Sequence, residues 1–345
     1  MLQSLTDRER AVLIAVLESY IESAEPAGSR TIAKQYALGV SPATVRNTMA
    51  DLETKGYLTH PHTSAGRVPT DLAYRYYVDE LMGPRPLSTV QQVRIEQELT
   101  SGQASAIEEL ISRAASVLSL LTGELGLAIG PTLSTAVLQR MDLVPVDSEK
   151  VLLVFTLESG VVRTVYVDLR SGLPRQTLSG LAAVLNERLA GSTLSDIKAT
   201  LGERLRDLDM KEAGNLINIF VESGPEIFDW VTTNRQVHLG TASSLADQPE
   251  FTTQAGLRQL IELTERRELL ASVLGQRARE SGPQITIGTE HEAPELLDLT
   301  VVTASYEVGH LHGVVGVIGP TRMPYDKVVA VVDCTSSLVS RLMQH

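Results

Sequence analysis

Arg46 and Asn47 stand side by side in the stretch SPATVRNTMADLETKGYL, which runs from Ser41 to Leu58. Both side chains end in planar groups that can form two hydrogen bonds at once, Arg with guanine and Asn with adenine. Ala43 and Thr44 are small and would permit a close approach to a partner surface. These residue types therefore indicate a surface that reads base edges in double-stranded DNA. An ordinary surface helix would also tolerate two such polar residues, so the neighbouring elements have to decide between the two interpretations.

A helix that starts at Pro42 is predicted to hold these side chains on one face. Ser41 is a favourable N-cap residue, and a proline at the first helical position costs no hydrogen bond. The apolar residues recur at i, i+4 and i+7 and form a single buried stripe: Val45, Met49 and Leu52. Gly56 can adopt the left-handed conformation that ends many helices. When the stripe faces inward, Arg46 and Asn47 face outward.

Two predicted helices precede this one, and a predicted β-hairpin follows it. The first helix opens with a capping box over residues 6–9, and Ser29 caps a second, short helix. Three short helices with tight joints match the spacing of a helix-turn-helix unit. After Gly56, two short strands flank the turn-rich stretch of residues 61–66, which is the pattern of a wing.

The predicted hairpin carries basic residues that could contact the DNA backbone. Arg67 begins its second strand, and His62 lies in its turn. A wing meets phosphate or the minor groove at such positions, although simple solvation would also account for Arg67. Helix and hairpin together provide the residues that we expect to contact DNA: Ser41, Ala43, Thr44, Arg46, Asn47, His62 and Arg67.

The charge distribution separates this N-terminal region from the rest of the chain. The whole chain carries a formal net charge of −12, which argues against non-specific binding of nucleic acid by the whole surface. Residues 26–70, by contrast, hold five basic and two acidic residues, whereas the chain from Gly83 onward holds 22 basic and 32 acidic residues. A basic module on an acidic body is the pattern expected of a DNA-binding domain attached to a larger regulatory part.

Length and composition predict a cytoplasmic protein of two or three domains. The 345 residues suffice for more than one core, and the mean hydropathy of +0.03 is typical of globular proteins. No apolar run approaches the ~20 residues that a membrane span needs, so we expect no membrane association. Met1 leads almost directly into a capped helix, which predicts the absence of a signal peptide. The single cysteine, Cys334, cannot form an intramolecular disulfide.

Hydrophobic periodicity predicts an α+β, multidomain architecture beyond the N-terminal region. Helices are expected at 88–99, 105–121, 171–231, 253–274 and 325–343, and strands at 136–144, 151–157, 161–167, 285–287, 299–304 and 314–318. Strands that precede and follow a helical block indicate one antiparallel sheet interrupted by an insertion. The strands at 151–157 and 161–167 are expected to be joined in hairpin fashion at residues 158–160. In the interrupted sheet, the strand at 161–167 is also expected to pair with the strands after Ile285.

The chain resembles the family of bacterial heat-inducible transcription repressors named HrcA over nearly its whole length. The stretches that carry the resemblance are VSPATVRNTMADLETKGYL, HTSAGRVPTDLAYRYYVD, HLGTASSLADQPEF and GVVGVIGPTRMPYDKVV. The last is the most distinctive, because GPTRM followed by Asp326 is not a general motif. The resemblance implies a winged helix-turn-helix domain and a GAF-like antiparallel sheet domain that contains an inserted, mostly helical dimerising domain.

The resemblance also implies function and partners. It predicts a homodimeric negative regulator of heat-shock genes that binds an inverted-repeat operator of the CIRCE type and depends on the GroE chaperonin. The expected domain bounds are 1–82 for the winged helix, 83–104 for a linker with a connecting helix, 105–170 and 251–345 for the GAF-like domain, and 171–250 for the insertion. The apolar helix faces of residues 171–231 are the expected dimer contact.

Other classes of function have less support in the sequence. The sequence contains no nucleophile elbow, Walker loop, dinucleotide fingerprint or HExxH motif, so we expect no enzyme activity and no cofactor. His310 and His312 could share one strand face, and residues 290–292 (Glu-His-Glu) lie nearby in sequence. A metal site would need a third ligand from a strand whose register the sequence does not fix, so exposed histidines are the expectation and no metal is expected. The remaining alternative is a metabolite-responsive repressor with the same DNA-binding domain and a ligand in the GAF-like domain.

Overall fold

The protein combines an N-terminal helical domain with two separate antiparallel sheets. The structure is a computed structural model that describes residues 4–61, 66–83, 86–101, 107–168, 174–206, 227–228, 237–278, 280 and 282–343. Its helices and antiparallel sheets agree with the expected α+β class. Within these residues, no helix is long and apolar enough to cross a membrane.

The N-terminal domain has four helices and a hairpin, and its first three helices and the hairpin occur in the predicted order. The elements are α1 (Asp7–Ser23), α2 (Ser29–Gln35), α3 (Pro42–Thr54), β1 (Leu58–Thr59), β2 (Val68–Pro69) and α4 (Asp71–Tyr76), which continues into a π-helical turn (Tyr77–Leu81). The predicted capping box is present, because the Glu9 N–H donates to the Thr6 hydroxyl and the Thr6 N–H donates to the Glu9 carboxylate. Apolar residues from the first three helices are buried together, among them Val16, Ile32 and Val45.

The remaining elements alternate between helices and strands. In chain order they are α5 (Thr89–Thr100), α6 (Ile107–Thr122), β3 (Leu125–Ile129), β4 (Leu138–Pro145), β5 (Lys150–Leu157), β6 (Val162–Asp168), α7 (Arg175–Leu189), α8 (Leu194–Leu205), β7 (Val237–Leu239), α9 (Ser243–Ala246), α10 (Gln254–Glu265), α11 (Arg267–Gln276), β8 (Gln284–Ile287), β9 (Leu299–Val308), β10 (Leu311–Pro320) and α12 (Tyr325–Leu342). Short 3₁₀ turns at Pro249–Phe251, Gly288–Glu290 and Pro294–Leu296 join some of them.

A five-stranded antiparallel sheet with the order β7-β3-β10-β9-β8 forms the centre of the body. Residues on one face of the sheet, such as Val302 and Val315, share a core with α6 and α12. Residues on the other face, such as Leu127 and Val301, share a second core with α10 and α11. The central strand is therefore buried on both faces. In β3, beside the central strand, a Cβ added at Gly126 would lie 1.9 Å from the Ala115 carbonyl oxygen, so β3 and α6 approach closely only because this residue is glycine.

A separate three-stranded sheet with the order β4-β5-β6 packs against α7. The Asn186 side chain of α7 forms two hydrogen bonds with the backbone of Met141 in β4, one to its N–H and one to its carbonyl, both at 2.7 Å. The apolar residues of α7 and α8 are buried at this contact and between the helices: Leu178, Leu181, Leu185, Leu189, Leu194, Ile197, Leu201 and Leu205.

The expectation that the strand at 161–167 pairs with the strands after Ile285 is wrong. This strand, β6, pairs instead with β5, to which the short turn at Gly160 joins it. Its expected place in the large sheet belongs to β3, which pairs with β10 and was not predicted. All five residues of β3 are buried, so the strand lacks the alternation of apolar and polar residues by which half-buried strands are recognised.

Candidate nucleic-acid interface

The N-terminal end of α3 has the predicted cap geometry. The Ser41 hydroxyl accepts a hydrogen bond from the Thr44 N–H at 3.2 Å and lies 3.0 Å from the Thr44 hydroxyl. Pro42 occupies the first position of the helix. The predicted stripe is buried, since Val45, Met49 and Leu52 face the core. The cap and the stripe together determine which side chains of this helix face outward.

The outward face of α3 presents the two planar side chains with little around them. Arg46 and Asn47 are exposed, as is Ala43 beside them. Within the part of the chain that the structure describes, neither Arg46 nor Asn47 is held by an ion pair or a side-chain hydrogen bond. Thr44 is half-buried and its hydroxyl contacts the Ser41 cap, so it lies further from a partner surface than Arg46. This arrangement leaves both side chains free to hydrogen-bond with base edges.

The hairpin that follows α3 is anchored at its base. Leu58 pairs with Pro69 and Thr59 pairs with Val68. Arg67 extends the ladder by exchanging two backbone hydrogen bonds with Ala27, of 2.8 and 3.0 Å, so the segment between α1 and α2 becomes a third, single-residue strand. These contacts hold the hairpin against the helices. His62, which the sequence places in the turn of the hairpin, lies with residues 63–65 outside the described residues.

Arg67 lies at the base of the hairpin and forms an ion pair there. Its Nη2 is 2.8 Å from a carboxylate oxygen of Glu53, and only 17% of the side chain is exposed. The other carboxylate oxygen of Glu53 contacts the His60 ring. The Arg67 Nε is buried and has no hydrogen-bond partner among the described residues. A contact between Arg67 and phosphate would therefore compete with the ion pair to Glu53. The sequence pattern did not indicate this ion pair.

Lys55 is also committed to a contact within the domain. Its Nζ lies 2.7 Å from the Glu9 carboxylate, so it joins the end of α3 to the start of α1. The hydrogen bond from Lys55, with that from the Thr6 backbone, lowers the pKa of Glu9.

Two basic residues of α2, Arg30 and Lys34, are exposed. They are four residues apart and share one helix face. Sequence reasoning counted their charge but did not propose them as phosphate contacts.

Comparisons with known proteins agree on one family. A family model described as the HrcA protein C terminal domain matches residues 108–329. A protein named "Heat-inducible transcription repressor HrcA" from Chlorobium chlorochromatii (strain CaD3) is 38% identical over 332 residues, which cover 95% of this chain and 94% of the relative. Its namesake from Natranaerobius thermophilus is 38% identical over 330 residues, with the same coverage of both chains.

A solved structure shares the fold. The crystal structure of a hypothetical protein at 2.2 Å resolution superposes with a TM-score of 0.64 at 22% sequence identity and covers 99% of both chains. The class of protein is thus an α+β protein with a small helical domain that precedes a sheet-containing body. More narrowly, the chain belongs to the HrcA family, as the family model and the full-length relatives show. Its distinctive GPTRM motif lies within the matched region.

Proposed function

We propose that this protein is a repressor of heat-shock genes that binds an inverted-repeat operator of the CIRCE type through a winged-helix domain at residues 4–82. The names of its relatives support the repressing role in the heat response. The observation that carries DNA binding is the outward face of α3, where Arg46 and Asn47 are exposed on a capped helix in the most basic part of an acidic chain. Such a helix enters the major groove with its N-terminal residues nearest the bases.

The proposed DNA contacts are of two kinds, contacts with base edges and contacts with phosphates. Arg46 and Asn47 are assigned to base edges, because bidentate side chains distinguish bases in the major groove. Ala43 and Thr44 permit or support the close approach of α3 to the base edges. Ser41 is assigned to the phosphate that the helix N-terminus faces. Basic residues around the helix are assigned to phosphates: Arg30, Lys34, His62 and Arg67. Phosphate contacts determine affinity and orientation, whereas base contacts determine sequence preference.

A dimer matches an inverted repeat, because each copy then occupies one half-site. The expected dimer contact on the helices after residue 171 does not suit the described helices, since the apolar residues of α7 and α8 are buried within their own chain. The outer face of the β4-β5-β6 sheet suits a second copy better. Its apolar side chains include Val144, Val162 and Tyr166, which are 45%, 50% and 67% exposed. Burial of such a face is the usual origin of dimer stability.

The domain bounds follow the strand pairing in this proposal. The five-stranded sheet with α6 and α10 to α12 forms the GAF-like domain, and the three-stranded sheet with α7 and α8 belongs to the insertion, whose start moves from 171 to about residue 130. Both faces of the five-stranded sheet are covered by apolar side chains. This packing favours regulation through folding and the GroE chaperonin over a ligand held inside the sheet.

An electrophoretic mobility shift on three DNA duplexes tests the proposal. One duplex carries a CIRCE-type inverted repeat, the second carries one half of it, and the third carries the same bases scrambled. We expect tight binding to the first only, and a larger active fraction when the protein has been incubated with GroE chaperonin and ATP. Equal binding to all three duplexes would contradict sequence-specific repression. Release of the operator by a pool of small metabolites, without any chaperonin effect, would favour the ligand-gated alternative.

A further inference from the structure

The partly buried guanidinium of Arg322 connects the loop that follows β10 to the N-terminal domain. The Arg322 Nε and Nη2 lie 2.8 and 3.1 Å from the two carboxylate oxygens of Glu250, and its Nη1 donates to the carbonyl of Ile21 at 2.6 Å. Only 12% of the Arg322 side chain is exposed. One guanidinium thus joins the 3₁₀ turn at Pro249–Phe251 to the last turn of α1.

The end of α1 has the partial negative charge that this guanidinium neutralises. The last turn of α1 holds no basic residue of its own. The chain turns away at Ala24, whose φ is 57°, and the Glu25 N–H donates to the Ser23 hydroxyl at 3.1 Å. The helix leaves its last carbonyls without intrahelical donors, and a cation there is stabilising. Arg322, which is 301 residues away in sequence from Ile21, supplies both the cation and the donor.

Neighbouring residues hold Arg322 in place from the side of the body. Gln248 donates to the Glu124 carboxylate at 3.1 Å and to the Gly123 carbonyl at 3.2 Å, while its own side-chain oxygen accepts from Arg322 at 3.4 Å. A Cβ at Gly319 would lie 2.0 Å from the Glu124 carboxylate, so only glycine leaves room for this arrangement. The GPTRM motif therefore contains both the space for Glu124 and the arginine that reaches α1.

A second contact between the domains limits rotation about the first. Arg75 of α4 pairs with the Glu290 carboxylate at 2.7 and 2.5 Å and donates to the Ile285 carbonyl at 2.7 Å. Asp71 of the same helix accepts hydrogen bonds from the backbone and the hydroxyl of Thr289, both at 2.9 Å. Two separate anchors on different elements fix an orientation, whereas one would act as a hinge.

We propose that Arg322 is a positioning residue for operator binding, which holds α1 against the body so that the two α3 helices of a dimer are presented at one fixed separation. This inference rests on the proposed function. A dimer gains affinity from its second half-site only if the geometry permits both contacts at once. Half-sites lie one helical turn (~34 Å) or a multiple of it apart, so a loosely held domain loses affinity for the natural spacing and gains tolerance of others.

Operator duplexes of varied spacing test this role with Arg322→Ala, Arg322→Lys and the wild-type protein. The control is Arg258→Ala, which removes an exposed Arg–Glu pair between two residues of α10. We expect about tenfold weaker binding of Arg322→Ala to the natural spacing. Binding to a single half-site should be unchanged, and the dependence on spacing should be flatter. Arg322→Lys should fall between the two, since it keeps the charge but cannot form both contacts.

Each outcome of the spacing series decides a separate question. Wild-type protein that shows no preference for the inverted repeat at any spacing overturns the proposed function itself. Wild-type protein that prefers one spacing, with an Arg322→Ala variant of identical affinity and spacing dependence, overturns the positioning role alone. Equal losses on the half-site and the full operator would also overturn it, because they indicate a damaged fold. If Arg322→Ala fails to fold, Glu250→Gln provides the same test from the other side of the ion pair.

Discussion

Single residues at the surface of the N-terminal domain differ in what they are free to do. Five basic residues in this region look alike in the sequence, yet Lys55 and Arg67 are paired with Glu9 and Glu53. Arg46 is exposed and faces outward. A side chain already held by a carboxylate loses part of any gain from phosphate, because it must give up the first partner. The free side chains on α2 and α3 are therefore the stronger candidates for DNA contacts.

Replacement of Arg46 should affect sequence preference more than general affinity. Loss of a bidentate base contact costs about 1–3 kcal/mol, so Arg46→Ala should bind the operator roughly 5- to 150-fold more weakly and accept substitutions at one base position. Lys34→Ala is the matched control, and it should weaken binding to all sequences alike and reduce the salt dependence. Both are measured by titration of operator and scrambled duplexes at several salt concentrations. Unchanged preference in Arg46→Ala would show that α3 does not read the bases.

Glu124 is a buried acid whose ionisation opposes folding. Burial raises its pKa from 4.5 to about 7, although Gln248, Arg322 and Lys327 act in the opposite direction and Glu250 reinforces burial. The folded protein holds this proton more tightly than the unfolded chain does. The contribution of Glu124 to stability therefore decreases as the pH rises from about 4.5 to about 7, by an amount on the order of 3 kcal/mol.

Glu124→Gln should remove that pH dependence. The amide keeps an oxygen that can accept from Gln248 but carries no charge to bury. We expect the variant to be more stable than the wild type at pH 8 and close to it at pH 5, as measured by denaturant unfolding across this range. The exposed Glu262→Gln replacement in α10 serves as a control and should leave the pH profile unchanged. A parallel loss of stability at every pH would contradict the assignment to Glu124.

Elements in this protein were easier to predict where their packing is one-sided. The helices expected at 88–99 and 105–121 correspond to α5 (Thr89–Thr100) and α6 (Ile107–Thr122), whose buried residues recur with helical spacing. The strand β3 escaped prediction because it is buried on both faces. Its closeness to α6 is permitted by Gly126, so the packing of this pair depends on a missing side chain.

A pair of glycine replacements tests whether the packing of β3 against α6 depends on Gly126. In Gly126→Ala, the new Cβ would lie 1.9 Å from a backbone oxygen of α6, so we expect a loss of stability of several kcal/mol or failure to fold. Gly202→Ala, in the exposed part of α8, meets nothing within 4 Å and should stabilise by up to about 1 kcal/mol. Thermal unfolding distinguishes the two. A mild effect of Gly126→Ala would mean that β3 and α6 can separate at little cost.

The molecule as a whole depends on contacts between distant parts of the chain. Leu125 of β3 pairs with Ile318 of β10, and the segment between them in the chain includes the separate three-stranded sheet β4-β5-β6. Such non-local pairing slows folding and leaves strand edges and apolar helix faces exposed in the meantime. These are surfaces to which a chaperonin can bind, which provides a physical basis for the proposed dependence on GroE.

Refolding should therefore respond to chaperonin. After denaturation, we expect partial recovery of operator binding in buffer alone and much greater recovery with GroE chaperonin and ATP. The fraction of the protein that binds the operator is measured by titration with operator duplex, and chaperonin without ATP serves as the control. A loss of about 1–2 kcal/mol on heating would shift much of a marginally stable population. Equal and nearly complete recovery in both reactions would contradict regulation by chaperonin supply.

The proposed dimer is also a property of the whole molecule. Tyr166→Asp would place a charge on the exposed apolar face of the β4-β5-β6 sheet, where Tyr166 is 67% exposed. We expect this variant to sediment as a monomer and to lose tight binding to the full operator, because a charge buried without a partner is costly. Tyr166→Phe keeps the apolar area and should remain a dimer. A Tyr166→Asp protein that remains dimeric would place the dimer contact elsewhere.

The α+β class, the family and the candidate recognition helix α3 could all be predicted from the sequence. The features of α3 are local, since its cap, its stripe and its outward face all follow from residues within one or two helical turns of each other. The resemblance to the HrcA family likewise rests on continuous stretches of sequence. These properties require no knowledge of which distant segments meet.

Which distant segments contact each other became known only from the tertiary structure. It assigned β3 to the large sheet, between β7 and β10, and β6 to a different sheet, paired Arg67 with Glu53, and brought Arg322 to the end of α1. Periodicity reports whether a residue is buried but does not report its partner, because many apolar segments could pair equally well by pattern. The partner is selected by the packing of the whole chain, where a two-sided core, a glycine and an unsatisfied helix end must all be accommodated together.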